Sequence, residues 1–117
     1  MDEIVGIYHA DGGLLGELRY VVGKLLGTTH CALCDITHGA VREKSSFRSC
    51  RESLELPFRA LHLNEQGAGL ASFTRGKTPC VVGRKGTQWH LLLGPEALEA
   101  LNGSVDAFDE ALKAALD

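Results

Sequence analysis

The sequence has only three prolines, no long apolar run free of charge, and no excess of basic over acidic residues. Each shortage excludes a class of protein. So little proline, beside 44% apolar and 23% charged residues, is the balance of a packed chain rather than a disordered one. The most apolar stretch, residues 14–26, is interrupted by Glu17, Arg19 and Lys24, so it does not read as a membrane span. Met1-Asp2-Glu3 is acidic where an export signal would be basic, and the expectation is a cytoplasmic protein with no membrane partner. The net charge of −3 lacks the basic excess that accompanies nucleic-acid binding, so no nucleic-acid partner is expected either. No internal repeat or low-complexity tract is present.

What is there suits a single domain over residues 1–117. The β-branched run at 3–9 reads as a buried strand, closed by Asp11-Gly12-Gly13. Leu14, Leu15, Leu18, Val21, Val22, Leu25 and Leu26 then recur at steps of three and four, which predicts a helix over 14–26, with Asp11 at its start and Gly27 at its end. Residues 28–40 show no sustained period and read as a loop. Residues 41–54 read as an exposed helix with a sparse apolar face of Val41, Phe47, Cys50 and Leu54. A second strand follows at 58–63, then a polar, glycine-bearing excursion over 64–77 with one helical turn near Leu70 and Phe73. Thr78-Pro79 leads into a hairpin of 80–83 and 88–93, with Trp89 expected to pack on the last helices. Pro95 opens a helix to about Leu101, Asn102-Gly103 ends it, and Ser104 caps a final helix with Val105, Phe108, Leu112 and Leu116 on one face. Basic residues concentrate in 42–95 and acidic ones in 96–117, which reads as solvated faces of one domain.

Four cysteines in a reducing compartment are thiols, metal ligands or a redox pair before they are a disulfide framework. The densest cluster is His30-Cys31-Ala-Leu-Cys34-Asp35-Ile-Thr-His38, with Cys50 further on. Two thiols three positions apart can close a disulfide ring or bind one metal ion. Redox work needs one of them as a thiolate near neutral pH, and His30, His38 or a helix beginning at Cys31 would favour the charged form. If a helix begins at or just after Cys31, that cysteine is favoured as the attacking thiol and Cys34 as the resolving one; otherwise either can attack. Alternatively, Cys31, Cys34, His38 and Cys50, with His30 as a substitute, supply a donor set suited to tetrahedral zinc. Cys80 reads as a packing residue.

The order of elements, with Thr78-Pro79 ahead of Cys80-Val-Val-Gly83 and the hairpin, resembles the thioredoxin-like superfamily. The resemblance implies an α/β fold with a βαβ unit joined to a ββα unit, here with an extra Cys/His-bearing loop and helix inserted at 28–54. It also implies a proline, usually cis, before the hairpin. Redox-active members carry their cysteine pair at the first strand-to-helix junction, which here is Asp11-Gly12-Gly13. A simple superposition therefore puts Cys31 and Cys34 at the opposite end of the 14–26 helix from Pro79, about 20 Å away.

Three functional readings follow. The first is a small cytosolic thiol–disulfide redox protein using Cys31 and Cys34, with His38 or His30 activating the attacking thiol, no cofactor, and a thiol or disulfide protein as partner. The second is a structural or interaction protein whose 30–50 segment is closed by zinc. The third is a small-molecule enzyme or binding module at the sheet edge, using Asp11 and the segment His62-Leu-Asn64-Glu65, with Tyr8 and His9 converging there.

Overall fold

A computed structural model describes residues 1–9, 31–38 and 43–117. The helix expected over 14–26, the Asp11-Gly12-Gly13 junction and His30 lie outside the described residues.

The first strand, β1 (Glu3–Ile7), forms because Ile4, Val5 and Ile7 are β-branched and buried on both faces of a sheet. It is an inner strand. On one side it pairs in parallel with β2 (Phe58–Leu61), and on the other it pairs antiparallel with β3 (Cys80–Lys85), which forms a hairpin with β4 (Gln88–Leu93). The strand order is β2-β1-β3-β4, a mixed four-stranded sheet in an α/β fold. The Gly86-Thr87 turn joins β3 to β4, with Gly86 at φ 62° supplying the left-handed backbone that a tight hairpin turn requires. The Thr78–Pro79 peptide bond is cis.

Four described helices cover one face: α1 (Ala32–Thr37), α2 (Ser45–Ser53), α4 (Pro95–Glu99) and α5 (Val105–Leu116). Their side chains Leu33, Ile36, Phe47, Leu98, Phe108 and Leu112 join Ile4 and Val81 in the larger core. α3 (Gly67–Thr74) lies on the other face, where Leu70 closes a smaller core of Val5, Ile7, Cys80 and Val82. Alternation along β1 decides which residue joins which core. Gly6 points to the larger one, and a Cβ there would meet Phe58 Cζ at 3.1 Å and Leu33 Cδ2 at 3.2 Å. Its missing side chain leaves room for Leu33 of α1 and the Phe58 ring of β2.

Several expectations change. The stretch read as a loop over 28–40 contains α1, whose six residues are too short to display a period. The turn expected in 64–77 is the two-turn helix α3, preceded by a 3₁₀ turn at Leu63–Glu65. Trp89 packs on the smaller core rather than on the last helices. It sits opposite Arg84, two residues from Val82 along β3, and cross-strand neighbours share a face. The final helix forms as expected, with Ser104 Oγ accepting from the Ala107 N–H and Val105, Phe108 and Leu112 buried.

Candidate functional site

The parallel strands β1 and β2 end at the same edge, and the next residues of each carry polar chemistry. Ile7 pairs with Leu61, so Tyr8 stands beside His62, with their rings 5.3 Å apart. Ile7 also pairs with Cys80, so two residues further His9 stands opposite Thr78. Its ring Nδ1 shares a 2.9 Å hydrogen bond with Thr78 Oγ1. Strand register alone thus gathers Tyr8, His9, His62 and the Thr78–Pro79 turn at one edge, where ligand sites of open α/β sheets occur.

The cysteine pair is delivered to the same edge by α1. Cys31 is the N-cap of that helix, in extended backbone (φ −147°, ψ 109°), and its sulfur accepts the Cys34 N–H at 3.3 Å, the role a Ser or Asp oxygen usually plays. The His9 main-chain N–H also donates to the Cys31 sulfur, at 3.4 Å. Cys31 and Cys34 form a disulfide, their Cα atoms 5.2 Å apart. Both are buried, at 1% and 7% exposure. The separation expected from a simple superposition is therefore not found: the pair lies near the Thr78-Pro79 segment. The pair begins a helix of its own, and His9 links its first sulfur to the residue before Pro79.

A second polar chain runs along the other end of α1. The buried Tyr8 hydroxyl and Thr37 Oγ1 share a hydrogen bond of 3.0 Å, and Thr37 Oγ1 and His38 Nδ1 share one of 2.6 Å. The His38 ring lies edge-on to Tyr8, with centroids 5.7 Å apart. His38 is the C-cap of α1, whereas Cys31 is its N-cap. Among the described residues, the histidine hydrogen-bonded to the Cys31 sulfur is His9, through its main chain, a residue the sequence assigned to the sheet edge alone. The signal that could have found it is the pairing of the first strand with the strand after Thr78-Pro79.

Glu65 accepts from both the main-chain N–H of His62, at 2.7 Å, and its ring Nδ1, at 2.6 Å. The main-chain N–H and then the ring hold the Glu65 carboxyl below its ordinary range. The pair fastens the start of the 3₁₀ turn at Leu63–Glu65 as a capping box.

The other two cysteines lie elsewhere. Cys50 of α2 donates its thiol to Asp109 Oδ1 of α5, while Lys113 binds Asp109 Oδ2. Burial, followed by the hydrogen bond to the Asp109 carboxylate, pushes the Cys50 thiol up to about 11. Cys80 belongs to the core on the opposite face of the sheet from Cys31, and burial pushes it to about 11 as well. Among the described residues, no group of three or more His, Cys, Asp or Glu side chains is placed to hold a metal ion. No described helix is long and apolar enough to cross a membrane.

What the edge assembles is a vicinal cysteine pair at a helix start, with two N–H donors on the first sulfur and a Thr-Pro turn beside it. No protein-family model, curated protein or solved structure matches the chain.

Proposed function

We propose that the chain is a thiol–disulfide exchange protein of thioredoxin-like fold, with Cys31 as the attacking thiol and Cys34 as the resolving one. The observation that carries this reading is the placement of the Cys31 sulfur. It is bonded to Cys34 and receives the N–H groups of Cys34 and His9 at the edge that also holds Thr78. The same donors would stabilise a thiolate more than a neutral thiol, because hydrogen bonds to an ionised acceptor are stronger.

The architecture supports the fold half of the proposal. Parallel β1 and β2 joined through α1 and α2, then the β3–β4 hairpin and its following helices, resemble a βαβ unit beside a ββα unit. In this reading α1 and α2 belong to the core unit.

Exchange then runs in two displacements. The Cys31 thiolate attacks one sulfur of a partner disulfide, forming a mixed disulfide while the partner's own S–S bond breaks. The departing partner sulfur leaves as a thiolate and takes up a proton. Cys34, having lost its proton to solvent, attacks the Cys31 sulfur, closing the ring and releasing the second partner thiolate, which is protonated in turn. Two electrons pass from the cysteine pair to the partner disulfide, and the reverse sequence oxidises a dithiol. In a cytoplasmic compartment the resting form is the dithiol, and the partners are proteins bearing disulfides.

The test is equilibration of the protein with graded ratios of reduced and oxidised dithiothreitol, alongside an assay for accelerated reduction of a soluble protein disulfide. A reduction potential above about −280 mV with acceleration that disappears in Cys31→Ser is the expected result. A potential below about −300 mV with no acceleration would make the bridge a structural staple and overturn the proposal.

A further inference from the structure

We propose that His9 is a positioning residue for Cys31: its side-chain bond to Thr78 holds its main-chain N–H on the attacking sulfur. The proposal rests on the exchange reading above for its functional meaning.

Two contacts of one residue make the link. The ring of His9 reaches Thr78 Oγ1 at 2.9 Å, and its main-chain N–H reaches Cys31 Sγ at 3.4 Å. His9 is exposed and lies just past the end of β1, outside the sheet ladder that holds Glu3–Ile7 in place. The strand's pairing does not extend to it in either direction, since the last registered pairs are Ile7 with Leu61 and Ile7 with Cys80. The Tyr8 N–H still bonds the Leu61 carbonyl at 2.9 Å, so the peptide carrying the His9 N–H is held on its Tyr8 side and needs an anchor on its His9 side. The imidazole–hydroxyl bond is that anchor, and Thr78 is itself fixed by the strand that begins two residues later at Cys80.

The consequence is chemical as well as structural. The Cys34 N–H reaches the Cys31 sulfur from within the same helix and belongs to its capping geometry. The His9 N–H arrives from across the sheet edge, so its contribution depends on the tertiary link. An N–H stabilises a thiolate more than a disulfide sulfur, so a secured His9 favours the reduced, ionised pair over the oxidised one. Loosening His9 should make the pair more reducing and Cys31 less reactive.

The test uses the full chain with His9→Ala, Thr78→Val, the double variant, and Thr78→Ser, which keeps the hydroxyl. Reduction potential is measured by dithiothreitol equilibration. In a parallel Cys34→Ser background, the rate of iodoacetamide alkylation at pH 7 is mapped to Cys31 by mass spectrometry. Each single loss variant is expected to slow Cys31 alkylation about threefold to tenfold. Each should also lower the pair's equilibrium constant for oxidising dithiothreitol by a similar factor, where tenfold is about 30 mV. The double variant should match the singles, because both break one link, and Thr78→Ser should match the wild type. Unchanged potential and alkylation in both single variants would overturn the proposal, as would fully additive effects in the double variant. Because alkylation reads Cys31 without any partner disulfide, the link can hold even where accelerated disulfide reduction is absent, so failure of the two proposals is distinguishable.

Discussion

The main-chain N–H of His9 and the sulfur of Cys31 are 3.4 Å apart although 22 positions separate the residues in the chain. The same sulfur caps α1 by accepting from Cys34. Two N–H donors favour negative charge on that sulfur. Cys34→Ser is therefore expected to form a mixed disulfide at Cys31, when mixed with a small aromatic disulfide, about tenfold faster than Cys31→Ser forms one at Cys34. Stopped-flow absorbance gives the rates and mass spectrometry the site. Equal rates, or the reverse order, would reassign the attacking thiol.

Both cysteines are also buried, at 1% and 7% exposure, and in-line attack on a disulfide needs a clear approach. Reduction of the native bridge should consequently be at least about tenfold slower than reduction of the same bridge in urea-unfolded protein at equal pH and dithiothreitol. Comparable rates in both states would mean that burial does not govern the exchange.

The unpaired thiols make a contrasting prediction. Cys50 and Cys80 titrate at about 11 against an ordinary value of 9.0, chiefly because burial disfavours the thiolate. At pH 7.5 their thiolate populations fall by about two orders of magnitude relative to an ordinary cysteine. Brief iodoacetamide treatment of the folded protein should leave Cys50 and Cys80 unmodified, whereas both should react promptly once the protein is unfolded in urea. Prominent early modification at Cys50 would show that the Asp109 contact is not maintained in solution.

Gly6 bears directly on the assembly of the site, because its absent Cβ leaves room for Leu33 of α1 and Phe58 of β2. Gly6→Ala forces the buried Leu33 or the partly buried Phe58 aside, and the expected cost is about 1–3 kcal/mol in urea unfolding. The substitution should also accelerate reduction of the Cys31–Cys34 bridge, because α1 is the helix it displaces. A variant as stable as the wild type would show that α1 can shift freely on the sheet.

Acid sensitivity should come in part from Glu3. Hydrogen bonding to the Arg59 guanidinium, with Arg84 behind it, holds its carboxyl below the ordinary glutamate value of 4.5. A carboxyl with a depressed folded-state pKa stabilises the fold above its unfolded value, and that stabilisation is lost as pH falls through the folded value. Melting temperature measured from about pH 6 downward should decline less steeply in Glu3→Gln than in the wild type, beginning near pH 4.5. Parallel curves would remove Glu3 from the acid response.

Local chemistry made much of the secondary structure readable in advance. The β-branched run around Ile4, the glycine-bearing hairpin turn and the Ser104 cap each act within a few residues, and each appears where the sequence places it. The Cys31–Cys34 spacing likewise announced a pair able to close on itself, and the segment from His62 to Glu65 announced a polar strand end. The helix α1 was not legible in that way. It has only six residues, its cap is a sulfur, and its buried positions Leu33, Ile36 and Thr37 become a face only against β1 and the neighbouring helices.

The site as a whole was decided by tertiary structure. His9 meets Cys31 and Thr78 because β1 runs antiparallel to β3 with Ile7 opposite Cys80, and Trp89 faces the smaller core because Arg84 is its partner. Sequence determines such residues' types and local conformations, through steric and hydrogen-bonding preferences spanning a few positions. Strand order and register set which of them meet, because side chains far apart in the chain are brought together only when the whole sheet buries its apolar faces at once.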